Sequence, residues 1–303
     1  MDFGKIEERD IEKTDFTLAP DGPLVKEVLK GKRHADLEVY IGCAKWGRKD
    51  WIGKLYPQGT KESAFLDHYV RHFNCIELNA THYQIYPEQV IGRWAEKAAG
   101  RDFKFCPKVP QVISHYSDLS GEQARRLTDA FLAGIQAFGP TLGPVFLQLS
   151  EKYAPARKEQ LYTYLRSLPK DIRFFLELRH PSWFADEELR RELFNILAEL
   201  SVGAVITDTS GRRDCAHMEL TIPETFVRFV GNNLHKTDYE RIDAWVDRLN
   251  DWIERGIHKV YFFMHQHDEK DSPELTDYLV ERVNTVCGLQ LKRPGLIRNN
   301  TLF

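Results

Sequence analysis

Short apolar segments alternate with amphipathic segments along the chain from residue 38 onward. The apolar segments are rich in β-branched and aromatic residues and are short, as buried strands are. There are eight of them, at residues 38–43, 74–79, 103–109, 144–149, 173–179, 203–208, 226–230 and 260–265. The intervening segments are predicted to be helices, because their apolar residues recur every three or four positions. One such set is Leu189, Leu193, Ile196, Leu197 and Leu200.

Eight strands that alternate with helices predict an α/β fold, a parallel sheet closed into a TIM-type (β/α)8 barrel. An open, doubly wound sheet is the alternative. The segment 209–225 contains Gly211 and Pro223 and has little helical pattern, so the sixth crossover is predicted to be irregular. Residues 1–37 show no sustained periodicity. They are predicted to be an extension outside a single barrel domain that occupies residues 38–303.

Polar residues occur near the C-terminal end of seven predicted strands. Because side chains alternate along a strand, Glu177 shares one face with Phe175, while Leu176 faces the helices. The same reasoning directs the other polar residues inward, toward the rim where barrel enzymes place their chemistry. The predicted inward set is Glu77, Lys108, Gln148, Glu177, Asp208, Arg228 and His265.

These charges predict a site for a small anionic substrate, either phosphorylated or sugar-like. The candidate catalytic groups are Glu177, Asp208 and Glu77. Glu177 would serve as a general acid or base if its surroundings raised its pKa, in chemistry of the hydrolase or isomerase type. The candidate anion-binding groups are Lys108, Arg179 and Arg228. The alternative is a set of ion pairs that only closes the top of the barrel.

His265-Gln266-His267 is the best local pattern for a metal, because alternation puts both imidazoles on one face. The spacing alone is weak, and the start of a solvated loop explains it as well. No cofactor is therefore predicted. A metal-assisted phosphoesterase of the nucleic-acid-repair kind, with a divalent metal, is kept as an alternative function. A binding or scaffold barrel without chemistry is the other alternative.

Composition narrows the choice of partner. The net charge of −3 gives no global basic surface, so nucleic acid is not the favoured partner. No apolar run approaches the ~20 residues that span a bilayer, so no membrane partner is expected. The five cysteines form no C-x-x-C pair and are predicted to be buried free thiols. With the polar N-terminus, these features predict a cytoplasmic protein.

Several motifs follow one another in a characteristic order between residues 41 and 184. They include Ile41-Gly42-Cys43-Ala44-Lys45-Trp46, Ile76-Glu77-Leu78-Asn79-Ala80-Thr81-His82-Tyr83, Lys108-Val109-Pro110, Glu177-Leu178-Arg179-His180 and Ser182-Trp183-Phe184. In these motifs the sequence resembles the YecE-like family, called domain of unknown function 72, over roughly residues 39–290. The resemblance implies a TIM-type barrel and supplies no activity.

The resemblance also implies which polar and aromatic positions are characteristic. They are Glu77, Asn79, Thr81, Tyr83, Lys108, His115, Gln148, Glu177, Arg179, Trp183, Asp208 and Arg228. The further candidate substrate-binding residues are therefore Asn79, Tyr83, His115, Gln148 and Trp183. The sequence departs from the family on the last two strands. The usual Arg-Leu-His-Gly reads Arg228-Phe229-Val230-Gly231, and the usual Phe-Asn-Asn is replaced near Met264-His265-Gln266.

Overall fold

Eight parallel strands form a nearly closed barrel in the computed structural model, which describes residues 3–297. The strands are β1 (Glu38–Cys43), β2 (Cys75–Leu78), β3 (Lys104–Pro107), β4 (Val145–Gln148), β5 (Phe174–Glu177), β6 (Gly203–Asp208), β7 (Glu224–Gly231) and β8 (Lys259–Gln266). They pair in the order β3-β2-β1-β8-β7-β6-β5-β4. Two isolated bridges, Phe105 with Leu142 and Lys108 with Phe146, join β3 to the β4 side. The predicted TIM-type barrel is thus confirmed.

Most of the helices connect consecutive strands and cover the outside of the barrel. They are α1 (Glu8–Ile11), α2 (Val25–Val28), α3 (Phe65–His72), α4 (Ala80–Tyr83), α5 (Glu88–Lys97), α6 (Gln111–Ser114), α7 (Gly121–Ile135), α8 (Lys158–Ser167), α9 (Ser182–Ala185), α10 (Glu187–Glu199), α11 (Lys236–Glu254) and α12 (Ser272–Cys287). Short 3₁₀ turns lie at 49–51, 62–64, 136–141, 155–157, 213–215 and 269–271. The last strand is followed by α12, which packs against α11 and β1.

The sixth crossover is irregular, as predicted. Between β6 and β7 the structure has a single 3₁₀ turn, Arg213–Cys215, and no α-helix. The chain that precedes β1 packs at this place: the backbone N–H of Gly22 donates to the Met218 carbonyl at 2.9 Å. A Cβ on Gly22 would lie 1.8 Å from the Glu219 carboxyl carbon, so a larger residue at this position would have to displace the buried Glu219 side chain. The N-terminal segment therefore covers the side of the barrel that has no sixth helix.

Two further sequence predictions concern cysteines and membrane spans. All five cysteines are buried and none forms a disulfide, as predicted. Within residues 3–297, no helix has the length and apolar character that crossing a membrane requires.

The inside of the barrel is filled by aromatic rings, which we call the aromatic floor: Phe146, Phe175, Phe226, Tyr261 and Phe263. The Phe226 ring is central, with its centroid 4.6 Å from that of Phe263, 5.1 Å from Phe146 and 5.4 Å from Phe175. Side chains two residues further along the same strands point inward one layer higher. That next layer, which we call the charged layer, consists of Glu77, Lys108, Gln148, Glu177, Arg228 and His265.

Replacing Phe226 by alanine tests the floor. The substitution leaves a cavity among three aromatic neighbours, so we expect the free energy of unfolding to fall by about 3–5 kcal/mol. Urea unfolding at neutral pH measures the loss. Tyr83→Ala is the control, because the Tyr83 side chain is exposed and its loss should change stability by less than about 0.5 kcal/mol. Equal losses in the two variants would contradict a packed floor.

Candidate functional site

Arg228 joins two carboxylates in the middle of the charged layer. Its Nε and Nη2 donate to the two oxygens of Glu77, at 2.8 Å each. Its Nη1 donates to Glu177 Oε2 at 2.7 Å, and Arg179 Nε donates to the other Glu177 oxygen at 2.7 Å. All four side chains are buried. Strands β2, β5 and β7 thus meet in one ion network, because their inward positions at this height are all charged.

Both carboxylates of this network are ionised. Burial alone would raise the pKa of Glu177, but the charges of Arg179, Arg228 and Lys108 lower it to about 2. At Glu77, too, burial raises the pKa, but the charges of Arg228 and His265 have the larger effect and hold it well below its usual value. A general acid at neutral pH needs a raised pKa. The surroundings of Glu177 and Glu77 act in the opposite direction from the one that role requires.

Lys108 lies on β3's side of the same layer and is only 7% exposed. Its Nζ donates to Gln148 Oε1 at 2.7 Å, and no carboxylate oxygen of residues 3–297 lies within ion-pair distance of it. Burial and then the charge of Arg228 lower the pKa of Lys108 to about 7. Lys108 is therefore a buried amine in which the charged and neutral forms coexist near neutral pH.

The guanidinium of Arg179 is only partly paired within the ion network. Nε is used by Glu177, but Nη2 is buried and has no hydrogen-bond partner among residues 3–297. One face of the guanidinium is covered by Phe3, whose ring centroid lies 3.9 Å from Cζ. A buried unpaired N–H of an arginine is a group that a ligand carboxylate or phosphate can satisfy.

The N-terminal segment reaches this rim and covers Arg179. The Thr209 hydroxyl donates to the Phe3 carbonyl at 3.1 Å, and the Gly211 N–H donates to the Gly4 carbonyl at 2.7 Å. Further along, the Phe16 ring packs on the guanidinium of Arg241, 4.8 Å from its Cζ. Sequence reasoning did not assign Phe3 to the site, because an aromatic residue in a nonperiodic segment carries no pattern that would place it.

Asp208 is not in the charged layer, and the prediction that it points inward was wrong. Its Oδ2 accepts from Trp245 Nε1 at 2.7 Å, and its Oδ1 accepts from Arg241 and Arg213. These partners belong to α11 and to the turn after β6, so Asp208 faces outward. Burial would raise its pKa, but the two guanidiniums lower it.

The error at Asp208 has a physical cause in β6. Thr207, rather than Asp208, is in register with Arg228 and takes the inward position. The preceding residues are both buried: Val205 lies in the cluster inside the barrel, and Ile206 lies in the outer core against the helices. A strand buried on both faces has no polar face to fix its phase, so alternation alone allows either assignment.

The remaining predicted residues divide into two groups. Asn79 donates to Glu77 Oε1 at 2.8 Å, and His115 Nε2 lies 3.4 Å from Gln148 Nε2, so both adjoin the charged layer. Trp183 does not: it is fully buried in the outer core, where its Nε1 donates to the Tyr153 carbonyl at 2.8 Å. The interpretation of Trp183 as a ligand-stacking residue is therefore wrong, because packing encloses the whole ring.

A pocket of about 240 Å³ opens beside the charged layer. Asn79, Tyr83 and Trp46 line it together with Glu77. The Tyr83 ring is 72% exposed, which leaves it available to a ligand at the pocket mouth. Its neighbour His82 has a pKa lowered to about 4 by burial and by Lys108. The pocket is thus aromatic at its entrance and charged at its inner wall.

Comparison with known proteins agrees with this architecture. The family model described as "Protein of unknown function DUF72" matches residues 40–296. The chain belongs to the DUF72 family. The UPF0759 protein YecE of Escherichia coli strain K12 is 30% identical over 283 residues, which cover 88% of this chain and all of YecE.

Crystal structures of two DUF72 proteins have the same fold. The protein from Enterococcus faecalis superposes with a TM-score of 0.64 at 17% identity, covering 88% of this chain and all of that chain. The protein from Thermotoga maritima gives a TM-score of 0.60 at 22% identity, covering 83% of this chain and all of that one. These likenesses support the barrel and transfer no residue role.

His265 occupies the eighth strand of this DUF72 protein, and both of its ring nitrogens face carboxylates. Nε2 lies 3.0 Å from Glu77 Oε2, and Nδ1 lies 3.4 Å from Glu269 Oε1. Burial would lower the pKa of His265, but the two carboxylates raise it above its usual value. Nitrogens engaged in this way do not present lone pairs to a metal. His267 follows the strand, and no metal-ligand cluster of three or more His, Cys, Asp or Glu residues occurs in residues 3–297.

Replacing Glu177 by glutamine tests the ion network. The swap keeps the shape of the side chain but leaves two buried guanidiniums with one carboxylate fewer, so we expect a loss of about 3–5 kcal/mol in unfolding free energy. Urea unfolding at pH 7 measures it. Glu192→Gln is the control, because its pair with Lys158 is on the surface and is worth less than about 1 kcal/mol.

The pH dependence of stability gives a second readout of the same substitution. A carboxylate with a lowered pKa stabilises the fold fully above its unfolded-state pKa of about 4.3 and loses that contribution as the pH falls toward the folded-state value. For Glu177 the loss spans roughly pH 4.3 to 2, so the Glu177→Gln curve should be flatter there than that of the parent protein. Parallel curves would show that Glu177 is not the low-pKa partner.

Proposed function

We propose that the charged rim binds a small anionic ligand, with Arg179 and Lys108 holding its negative charge. The observation that carries the proposal is the buried Arg179 Nη2, which lacks a partner among residues 3–297. Lys108, on a different strand, is buried without a carboxylate of its own in the described chain. A buried guanidinium nitrogen without a hydrogen-bond partner and a buried lysine without a counter-ion in contact are groups that an added anion can pair with.

The charge balance of the rim supports an anion rather than a cation. Lys108, Arg179 and Arg228 are opposed by Glu77 and Glu177 alone. His265 and Glu269 add one charge of each sign when the imidazole is protonated, so they do not change the balance. A single anionic group placed between Arg179 and Lys108 would neutralise the excess positive charge of this buried layer.

The surroundings favour a small ligand with hydroxyl or phosphate oxygens. Gln148 and His115 adjoin Lys108, and burial lowers the pKa of His115 to about 4, so its imidazole is neutral at physiological pH. Neutral imidazole and amide groups can each donate and accept hydrogen bonds, which suits sugar-like hydroxyls. The pocket of about 240 Å³ adjoins the charged layer at Glu77 and Asn79, whereas Lys108, Arg179, Gln148 and His115 do not line it.

Acid–base chemistry on such a ligand, of the hydrolase or isomerase kind, is assigned to Lys108 in this proposal. Its pKa of about 7 allows it both to accept and to donate a proton near neutral pH. Glu177 and Glu77 are left with the role of holding the guanidiniums in position. Asp208 has no part in the site, because it faces α11.

Sulfate titration of Arg179→Gln tests the anion site. A hydrogen bond to a charged group contributes about 1.5–3 kcal/mol, so the affinity for sulfate should fall roughly 10- to 150-fold. NMR titration of the intact protein measures the dissociation constant. Arg173→Gln is the control, since Arg173 directly precedes β5, whereas Arg179 follows it, so the two arginines lie at opposite ends of the barrel. Equal affinities of the two variants would refute the proposal.

The pH dependence of sulfate binding tests Lys108 separately. The anion favours the ammonium form, so the affinity should be constant below pH 7 and decrease up to about tenfold per pH unit above it. His115 and His82 are already neutral above pH 7, and sulfate keeps its charge in this range. These three groups therefore do not contribute to the pH dependence of the affinity. Lys108→Gln should abolish the slope. A slope that survives this substitution would assign the titration to another group.

A further inference from the structure

We infer that Lys108 is a nucleophilic lysine that forms an imine with small carbonyl compounds carrying an anionic group, such as keto acids, aldehyde acids or their phosphorylated counterparts. The inference rests on the proposed anion site, because Arg179 would hold the anionic group while Lys108 meets the carbonyl. To the anion binding and acid–base chemistry proposed above, it adds a covalent intermediate and a carbonyl-containing substrate class.

The position of Lys108 distinguishes it from the other lysines of residues 3–297. It is the single lysine among them whose residue is buried, at 7% exposure. Surface lysines such as Lys158 pair with carboxylates at 2.7 Å, whereas Lys108 has an amide oxygen as its hydrogen-bond acceptor. An amide oxygen stabilises an ammonium less than a carboxylate does, and it equally accepts one N–H of a neutral amine. The hydrogen bond to Gln148 therefore leaves the nitrogen lone pair free to point elsewhere.

Two neighbouring guanidinium groups disfavour the ammonium form of Lys108, and two carboxylates favour it. Arg228 and Arg179 face Lys108 from β7 and from the end of β5, while Glu77 and Glu177 face it from β2 and β5. Both carboxylates are already bound by guanidinium groups at 2.7–2.8 Å. A lysine that is desolvated beside other cations is the arrangement that activates amines for Schiff-base chemistry.

The reaction is balanced with water as the sole by-product. The neutral Nζ of Lys108 attacks the carbonyl carbon; the N–C bond forms as the C=O π bond breaks. A proton passes from nitrogen to the oxygen to give a carbinolamine. The C–O bond of the carbinolamine then breaks as the C=N bond forms, and the hydroxyl takes the second proton of the nitrogen and leaves as water. No oxidant or reductant takes part, and addition of water reverses the sequence. Protonation of the imine nitrogen gives a group with the same charge as the lysine ammonium.

Borohydride trapping on the full-length protein tests the inference. The protein is incubated with glyoxylate at pH 7, reduced with sodium borohydride, and analysed by intact mass and peptide mapping. A lysine of pKa about 7 has roughly a thousandfold larger neutral fraction at pH 7 than an ordinary lysine of about 10.4. We expect one reduced adduct on Lys108, at least about tenfold above that on any exposed lysine such as Lys45.

A matched probe and a matched variant complete the design. Acetaldehyde lacks the carboxylate, so its preference for Lys108 over Lys45 should be smaller, and Arg179→Gln should reduce the preference for glyoxylate to a similar level. Lys108→Arg, which keeps the positive charge, should show no adduct at this position. The peptide map of the unmodified sequence needs no variant, so a folding defect in either variant does not leave the inference untested.

The outcomes separate this inference from the proposed function. Sulfate binding through Arg179 together with labelling that is spread evenly over exposed lysines would overturn the imine and leave the anion site intact. Labelling concentrated on Lys108 but indifferent to sulfate, to the carboxylate of the probe and to Arg179→Gln would establish a reactive lysine and overturn the anion site that the inference rests on.

Discussion

The bidentate bond of Arg228 to Glu77, extended to Glu177, is the interaction on which the rim depends. A guanidinium in a barrel interior is tolerated only when its donors are satisfied, and here Nε, Nη1 and Nη2 all reach carboxylate oxygens at 2.7–2.8 Å. Arg228 thereby takes both oxygens of Glu77 and one of Glu177. With Arg179 Nε on the other oxygen of Glu177, no carboxylate oxygen of these two residues is left without a guanidinium. Within residues 3–297, Arg179 Nη2 therefore has no partner, and Lys108 has no carboxylate in contact.

The aromatic floor strengthens the ion pairs of Arg228 by excluding water from one side of them. The rings around Phe226 lie one layer below the charges, so water cannot reach the network from inside the barrel. In such surroundings each Coulomb interaction is stronger than at the surface, and an unpaired charge is more costly. The network can therefore be approached only from the rim, where the Phe3 ring of the N-terminal segment lies on Arg179. The nonperiodic start of the chain is in this way coupled to the site.

The fold and most of the inward-facing positions could be predicted from the sequence, but the ion-pair partners of the inward residues could not. Alternation placed Glu77, Lys108, Glu177 and Arg228 correctly, since each is flanked on its strand by apolar residues. It failed at Asp208, because β6 ends in two consecutive polar residues, Thr207 and Asp208, and it could not show that Trp183 is enclosed by packing. The alternation of side chains along a strand also does not show which inward charges contact one another across the barrel. That depends on strand stagger, which no local pattern encodes.

Contact with an opposite charge decides how each group of the charged layer titrates. The guanidiniums lower the pKa of Glu77 and Glu177, and the carboxylates raise the pKa of Arg228 and His265, whereas burial lowers that of Lys108, which has no carboxylate of residues 3–297 in contact. Glutamates therefore become weaker bases, and the cation with the poorest partner gives up its proton most easily. Guanidiniums keep theirs, so the effect falls on the amine: Glu177 titrates at about 2 and Lys108 at about 7. Carboxylates at the ends of barrel strands are the usual candidates for acid–base groups, but in this layer it is Lys108, buried without a carboxylate partner in the described chain, whose pKa lies near neutrality.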